Sequence, residues 1–344
     1  MPRVSLTGIS DLSQRILRRL RRELDARAGG SGTASAPAEQ RYDSWLRAFC
    51  EVQLDPIEAA CAGAGTEALA LFAGLDSDLW ALLLTQQYDS YPNIRALLPG
   101  VPEPALQATW NGASGAVLGA QSRGFYDKVR QRYERHSEQD LRDSRVLDFG
   151  CGWGRLTRFF ARDVQPGRLF GCDPVQPILD VCEQSRVPAT LRRCDFVPQA
   201  LPFDQPFDLA YAFSVFTHLS EPAHEASLRA LHGSIAPGGV LFVTIRPPEY
   251  LRLSELLHPA LASLGPRPEE QLQRPRYLFA PHGGQPLGSE APGGEITYGE
   301  TVITLSYVRE RWHELFELLD VDLLLGDPYQ VMLTLRRSGQ DRLH

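Results

Sequence analysis

The chain has 344 residues, enough for one large domain or for a main domain with a smaller helical one, and its 43% hydrophobic content allows a sizeable core. A formal net charge of -7 gives no support to a nucleic-acid-binding protein, because bulk phosphate binding usually shows as a basic domain. The six cysteines form no CxxC pair, no run of eighteen apolar residues occurs and the N-terminus has no apolar signal core, so we expect a cytoplasmic protein with reduced thiols.

Residues 1–40 predict a basic amphipathic helix followed by a flexible linker. The apolar positions of the helix recur at four-residue spacing within 10–28: Leu12, Ile16, Leu20 and Leu24. Arginines cover much of its remaining surface, which suits contact with an acidic membrane or a protein partner, and a solvated helix resting on its own protein fits the pattern equally well. Residues 29–40 are small and polar, as linkers are.

Residues 41–102 predict a small helical N-terminal domain, because their apolar residues follow helical spacing without strand-like alternation. We assign residues 103–344 to the main domain. Its first part, 106–135, has glycines scattered through apolar and aromatic residues. That segment either lies across a ligand or forms a helix over the sheet edge. The candidate ligand contacts in it are Trp110, Gln121, Phe125 and Tyr126.

The stretch RVLDFGCGWGRLTRFF, residues 145–160, predicts a strand, a glycine-rich turn and the start of a helix. Asp148 closes the strand, and Gly150, Gly152 and Gly154 punctuate the turn. Glycines allow the chain to reverse tightly and let a ligand approach the backbone. The exposed N–H groups at the helix start favour an anionic ligand group, so the stretch is typical of a nucleotide-type binding loop.

Strands then alternate with helices. Strands are predicted over 168–171, 190–193, 206–219 and 240–245, the third of them with a break at Ser214. Helices are predicted over 177–185 and 223–235, with a turn at 237–239. This order predicts a doubly wound, mostly parallel α/β sheet. A helix over 307–319 and strands over 321–325 and 331–336 follow, and the short turn between these strands makes them antiparallel. The expected result is a seven-stranded, Rossmann-like sheet with an antiparallel last strand.

An insertion over about 247–298 breaks this rhythm with many prolines and glycines. Its strand-like stretches at 277–280 and 295–304 surround a Gly/Pro-rich tip, which predicts an inserted hairpin or lid.

The predicted strand ends carry polar and small residues that should meet in one crevice, because ligands of open parallel sheets collect at the carboxyl ends of the strands. Asp148 and the glycines follow the first strand, Asp173 the second, and Asp195 with Phe196 the third. Ser214, Val215 and His218 follow the fourth. A carboxylate at Asp173 suits the two hydroxyls of a ribose, and the third strand end suits an adenine.

Two cofactors compete for such a crevice. A dinucleotide loop usually reads GxGxxG, whereas this loop is GCGWG preceded by an acidic residue, and the closing antiparallel pair is unlike a nicotinamide domain. The sequence here resembles the class I S-adenosylmethionine-dependent methyltransferases. VLDFGCGWGR, GCDP, CDF, and FDLAYAFSVFTHL with the APGG turn are similar to five successive motifs of that family. The resemblance covers residues 146–336 and not the first hundred or so residues.

The resemblance implies S-adenosyl-L-methionine as cofactor and assigns roles by position. Gly150, Gly152 and Gly154 would surround the methionine part, and Asp173 would hold the ribose. Asp195 and Phe196 would hold the adenine, and Ser214 and Val215 would lie beside the sulfonium. Trp153 would either cover the cofactor or fill a seam between helix and sheet. Asp148 would organise the loop.

The expected activity is methyl transfer to an oxygen or nitrogen of a small molecule, such as a sugar or a secondary metabolite. Alternatives are methylation of a peptide or protein, and a cofactor-binding scaffold without turnover. His218 is the candidate general base, because a histidine titrates in the useful range, and its alternative role is packing or helix initiation. Candidate acceptor contacts are His282, Tyr298, Glu300, Tyr329 and Gln330. The sequence shows no metal-ligand spacing, so no metal is predicted.

Overall fold

The computed structural model describes residues 42–282 and 296–338. The predicted N-terminal basic helix, its linker and the tip of the inserted hairpin lie outside the described residues. No helix within the described ranges has the length and apolar character needed to cross a bilayer.

The first part of the described chain is helical, as predicted. Its helices are α1 (Asp43–Phe49), α2 (Glu51–Ala60), a 3₁₀ helix (Thr66–Gly74), α3 (Ser77–Thr85) and α4 (Pro92–Leu97). Local signals set several of their ends. The Asp76 carboxylate caps α3 by accepting hydrogen bonds from the backbone N–H groups of Asp78 and Leu79, both at 2.9 Å. A proline opens α4, where no backbone donor is needed.

Two further helices lead to the sheet: α5 (Pro104–Asn111) and the long α6 (Gly115–His136). Gly112 ends α5 in the left-handed conformation, at φ 71°. Helix α6 packs against α3 and contacts a strand of the sheet, β5 (Ile235–Ile245). Segment 106–135 therefore contains a helix that covers the sheet, which is the second of the two interpretations of its sequence.

The main sheet has seven strands: β1 (Val146–Phe149), β2 (Leu169–Asp173), β3 (Thr190–Arg193), β4 (Phe207–Ala212), β5 (Ile235–Ile245), β8 (Phe316–Leu323) and β9 (Val331–Arg337). Their order in the sheet is β3-β2-β1-β4-β5-β9-β8. Strands β1 to β5 pair in parallel, and β9 pairs antiparallel with both β5 and β8. The predicted fold class is confirmed. Strand order reverses between β1 and β4, which is where ligands bind in such sheets.

Helices cover both faces of the sheet, with α7 (Thr157–Phe160), α8 (Gln176–Gln184) and α9 (Glu221–Ser234) between the parallel strands. Strand residues alternate between two apolar clusters: Val146, Leu209 and Phe242 face the N-terminal helices, and Leu147, Ala210 and Leu241 face the other side. This two-sided burial explains why these strands read as continuous apolar runs.

The insertion contains short helices and a separate hairpin. Two 3₁₀ helices (Pro248–Arg252, Glu255–Leu257) precede α10 (His258–Ser263) and α11 (Pro268–Leu272), and β6 (Tyr277–Pro281) pairs antiparallel with β7 (Gly299–Ile303). The predicted hairpin is confirmed. On its other side β7 joins the loop after β4, since the Thr301 N–H donates to the Thr217 carbonyl at 2.9 Å.

Three predicted boundaries are wrong. The helix expected over 307–319 ends early, as α12 (Leu305–Arg311), and its last residues belong to β8. Pairing with β9 decides that conformation, and tertiary pairing of this kind outweighs a local apolar pattern. The turn expected at 237–239 lies inside β5 as an irregularity with Gly238 at φ 77°. The strand predicted over 206–219 with a break at Ser214 covers only Phe207–Ala212, and the chain bends at Ser214 as predicted.

Candidate functional site

The glycine-rich loop after β1 forms the floor of the crevice at the reversal point. Gly150, Gly152 and Gly154 all adopt the left-handed conformation, with φ of 75°, 53° and 75°. A Cβ on Gly150 would lie 2.4 Å from Val215 Cγ2, and a Cβ on Gly154 would lie 2.8 Å from Val187 Cγ2. A Cβ on Gly152 would meet nothing within 4 Å. The first and third glycines therefore allow close packing, and the middle one faces open space.

Asp173, at the end of β2, is tied to this loop. Its carboxylate accepts hydrogen bonds from the backbone N–H groups of Gly152 and Val175, both at 3.0 Å. Burial raises the pKa of Asp173 to about 6, and the two backbone donors oppose that rise. The structure thus brings two of the predicted site residues into direct contact. Each carboxylate oxygen keeps further lone pairs for a ligand.

Asp195 and Phe196 follow β3 beside Asp173. The backbone N–H of Cys194, one residue earlier, donates to the Asp173 carbonyl at 3.2 Å. The Asp195 side chain is exposed and Phe196 is half-buried. A charged acceptor with an apolar ring next to it therefore stands at the open end of the crevice.

Asp148 points into the protein. Its carboxylate accepts a hydrogen bond from the Thr157 hydroxyl at 2.6 Å, which joins β1 to the first turn of α7. Burial, together with the nearby Asp173 charge, raises the pKa of Asp148 to about 7. This arrangement agrees with a role in organising the loop.

Trp153 fills a seam between helices. Its ring packs with Leu118 of α6 and Ile178 of α8, and its indole N–H donates to Asn111 Oδ1 at 2.7 Å. The Arg158 guanidinium lies over the ring, 4.7 Å from its centroid. Of the two roles considered for this residue, the structure fits the packing role.

Ser214 turns the chain after β4 with a positive φ of 59°, a rare conformation for a residue other than glycine. Its backbone N–H donates to the Thr244 hydroxyl at 2.8 Å, and Gln330 Nε2 donates to its side-chain oxygen at 3.0 Å. Strained backbone of this kind tends to occur where a site is built. The next residue, Val215, presses against Gly150.

His218 is held on both ring nitrogens. Its Nδ1 lies 2.7 Å from the Gly299 carbonyl oxygen, which can only accept, so Nδ1 carries the proton. Its Nε2 lone pair then faces Arg246 Nη2 at 3.1 Å. Burial and the Arg246 charge lower the pKa of His218 to about 3, so the ring is neutral. The ring also stacks on Tyr298, with centroids 4.9 Å apart.

Arg246 stands at the centre of a polar cluster above the crevice. It is one residue past β5 and forms an ion pair with Glu300 of β7. His282 Nε2 lies 3.6 Å from Glu300 Oε1. His218, His282 and Glu300 each offer one ligand atom, and these three atoms lie within 4.8 Å of one another. Such an arrangement could hold a metal ion. The sequence could not show this cluster, because its members lie on three separate segments.

The candidates in segment 106–135 have different environments. Phe125 and Tyr126 are fully buried in the cluster on the helical side of the sheet, so they are core residues and not ligand contacts. Gln121 belongs to a network, with its Nε2 2.5 Å from Asp327 Oδ2 and its Oε1 2.7 Å from Arg155 Nη1. Trp110 is partly exposed.

Sequence reasoning missed Arg155 and Arg246. Arg155 follows the last loop glycine, is buried, and lies 4.8 Å from the Phe213 ring centroid. Burial lowers the pKa of Arg155 to about 10. A signal for Arg246 existed, because it follows a predicted strand directly, and the strand-end rule that found Asp173 and Asp195 applies there too.

Comparisons with known proteins agree with this geometry. Residues 146–239 match the family model described as a methyltransferase domain. An uncharacterized methyltransferase of Schizosaccharomyces pombe is 34% identical over 124 residues, which cover 31% of this chain and 44% of that protein. Trans-aconitate 2-methyltransferase of Variovorax paradoxus is 31% identical over 143 residues, which cover 41% of this chain and 54% of that protein. The chain therefore spans about half the length of the curated relatives it matches.

Solved structures that match this chain include a magnesium protoporphyrin IX methyltransferase from Synechocystis with bound SAH (TM-score 0.41, 16% identity, 64% of this chain and 87% of that one). Another is the 1,6-didemethyltoxoflavin-N1-methyltransferase of Burkholderia thailandensis (TM-score 0.42, 15% identity, 65% of this chain and 79% of that one). Residues 146–239 of this chain therefore carry a methyltransferase domain.

Proposed function

We propose that the protein transfers a methyl group from S-adenosyl-L-methionine to an oxygen or nitrogen of a small molecule. The observation that carries this proposal is the pairing of the buried Asp173 carboxylate with the N–H of Gly152, next to the open space that the missing Gly152 side chain leaves. A name among the relatives supports a small acceptor, since the Variovorax protein is called a trans-aconitate methyltransferase.

The residues present fit this cofactor. Asp173 would accept from the ribose hydroxyls through its remaining lone pairs, and Asp195 with Phe196 would bind the adenine. The methionine part would lie along Gly150, Gly152 and Gly154, with Ser214 and Val215 near the sulfonium. When bound, S-adenosylmethionine supplies an electrophilic methyl group on a positively charged sulfur.

The protein's own contribution is alignment of the acceptor and exclusion of water. Positioning of this kind is worth roughly 7 to 11 kcal/mol of barrier in favourable cases. The loop after β4 sets one wall, because Val215 is wedged against Gly150 and Ser214 is fixed from β5 and from Gln330. Hairpin β6–β7 sets the opposite wall with Tyr298 and Glu300. Burial raises the pKa of Tyr298 to about 12, so its hydroxyl keeps its proton and acts as a donor.

The proposed general base, His218, would need a free lone pair. Its Nε2 already faces Arg246, and its Nδ1 faces a carbonyl. This geometry supports packing, one of the alternatives to catalysis considered for His218, because the ring contacts both Arg246 and the hairpin.

Two measurements test the proposed function. Calorimetry should give heat with S-adenosylmethionine and none with NAD, and the reverse result would contradict the assignment. The protein should then transfer label from the cofactor to a small molecule of its own cell extract. Label in polypeptide would support the peptide alternative, and cofactor binding without transfer would support a scaffold.

We also propose a cytoplasmic location, which suits the free thiols of the described cysteines.

A further inference from the structure

We propose that Arg246 binds a carboxylate group of the methyl acceptor, and that Glu300 is the resident counter-ion which this carboxylate displaces. The inference rests on the proposed methyl transfer and names the chemical class of its acceptor.

The position of Arg246 places it over the crevice. It follows β5 at the carboxyl edge of the sheet, and two residues earlier Thr244 holds the Ser214 backbone at 2.8 Å. His218, on the same loop after β4 as Ser214 and Val215, faces Arg246 Nη2 through its Nε2 at 3.1 Å. A group bound to Arg246 therefore lies beside the proposed methyl-transfer point.

The guanidinium of Arg246 is pre-arranged for a planar anion. It is only 7% exposed and lies 4.0 Å from the ring centroid of Tyr250. Tyr250 in turn contacts the ring of Tyr329, which is 41% exposed. A guanidinium backed by an aromatic ring presents its donors as a rigid fork, and this geometry matches a carboxylate. His218 fixes one end of the fork through its Nε2.

Glu300 is a replaceable partner. It comes from the inserted hairpin, so its ion pair with Arg246 joins two separate elements. An incoming carboxylate keeps the charge on Arg246 balanced, which matters because an unpaired buried charge is costly. After this displacement Glu300 keeps its contact with His282, whose Nε2 lies 3.6 Å from Glu300 Oε1.

A metal ion at His218, His282 and Glu300 is the competing explanation of the same cluster. The Arg246 guanidinium already contacts His218 and Glu300, so it supplies the positive charge that a metal would bring. A metal would have to approach this guanidinium or expel it, and for that reason we favour the anion.

The test starts from the protein's own cell extract, depleted of macromolecules and separated by anion exchange at pH 8 into retained acids and unretained compounds. The full chain and labelled S-adenosylmethionine should label the retained fraction, and phosphatase or EDTA treatment should change nothing. Label confined to unretained compounds, phosphatase-sensitive label, or a requirement for a divalent metal would each overturn the inference while leaving methyl transfer intact. No label in either fraction would contradict the proposed function and this inference together.

Two variants separate recognition from a merely structural contact. Arg246→Gln should raise the KM for the retained acceptor about 10- to 100-fold, because a charge-assisted contact is lost. Glu300→Gln should lower that KM, since the competing carboxylate is gone. Both should keep wild-type affinity for S-adenosylhomocysteine, as should the control Arg252→Gln, which removes an exposed ion pair with Glu269. Equal losses in both variants would show a hairpin contact and overturn the inference.

Discussion

Asp173 combines burial with proposed ligand contact, and the combination makes its protonation state matter. Its carboxylate is held by the N–H groups of Gly152 and Val175, and burial raises its pKa to about 6. Only the ionised form accepts through both oxygens. The site is therefore matched to a neutral or slightly alkaline solution.

We expect Asp173→Asn to weaken S-adenosylmethionine binding by about 1.5 to 3 kcal/mol, because charge-assisted hydrogen bonds to the ribose are lost. In the wild type, affinity should fall as the pH drops from 8 to 5 through the pKa of about 6. The variant should lack the part of this trend that comes from Asp173. Calorimetry across this pH range measures both effects. The control Asp204→Asn, on an exposed loop before β4, should keep wild-type binding, and a variant that binds normally would remove Asp173 from the cofactor site.

Asp148 gives a separate test through stability. Its folded-state pKa of about 7 exceeds that of an unfolded aspartate, so between roughly pH 4 and 7 the folded protein binds the extra proton. This carboxyl thus stabilises the fold least at high pH, where its buried charge is fully present. The free energy of unfolding of Asp148→Asn relative to wild type should be more favourable at pH 8 than at pH 5, by an amount on the order of 1 to 4 kcal/mol, which thermal unfolding at both pH values measures.

The matched control for Asp148 is Thr157→Val. It removes the 2.6 Å hydrogen bond that lowers the pKa of Asp148 and leaves the carboxyl in place. Because this bond favours the charged form, the destabilisation by Thr157→Val should grow from pH 5 to pH 8, opposite in sign to the trend of Asp148→Asn. A pH trend of the same sign in both variants would show that the carboxyl is not its source.

Among single residues, the sequence predicted those that stand where a motif or a strand end requires them. Asp173 and the loop glycines were found because local chain geometry demands them. Arg246 and Glu300 were not paired, since one lies on the sheet and the other on the inserted hairpin, and only the fold brings them together. Phe125 and Tyr126 were considered as ligand contacts because an aromatic residue has the same pattern in a core as in a pocket.

At the scale of elements, the glycine-rich loop is shaped by two different requirements. Gly150 and Gly154 leave no room for a side chain inside the protein, whereas Gly152 leaves room on the crevice side. A methyl group added at each position therefore has a different effect.

Gly150→Ala should destabilise the fold by about 1 to 3 kcal/mol, because its Cβ would overlap Val215 and its left-handed φ of 75° is strained for alanine. Gly152→Ala meets no protein atom within 4 Å, so we expect a smaller loss of stability and a marked loss of cofactor affinity. Thermal unfolding and calorimetry on both variants separate the effects. Normal cofactor affinity in Gly152→Ala would place the ligand elsewhere.

The central strands were predicted in the right places, although β4 ends earlier and β5 begins earlier than expected, and the sheet edge was predicted poorly. Strands β1, β4 and β5 carry apolar residues toward two clusters, and such runs are unambiguous between turns. Edge strand β8 is buried at few positions, so its sequence also fits a helix, and only its pairing with β9 decides.

Across the whole molecule, the helical region and the sheet share one apolar cluster. Trp80 and Leu98 belong to the same cluster as Val146 and Phe242. Buried arginines after the glycine loop add hydrogen bonds between the two parts. Arg158 Nη1 lies 3.0 Å from the Gly100 carbonyl, and Arg162 Nη1 lies 2.8 Å from the Leu75 carbonyl. The sequence predicted a helical domain here but not its contacts with the sheet, because the partners are far apart along the chain.

We therefore expect the described helices and the sheet to unfold together. Trp80 is 0% exposed, its indole N–H donates to the Phe159 carbonyl at 3.0 Å, and it lies on α3, outside the crevice. Trp80→Ala should cost about 3 to 5 kcal/mol and lower the melting temperature of a single transition that the bound cofactor also shifts. The control Trp45→Ala, on α1 of the same helical region and 64% exposed, should change stability little. The contrary result would be two transitions, of which Trp80→Ala shifts only the first and the cofactor only the second. It would mean that the helical region folds separately and that the shared cluster is an interface between two domains.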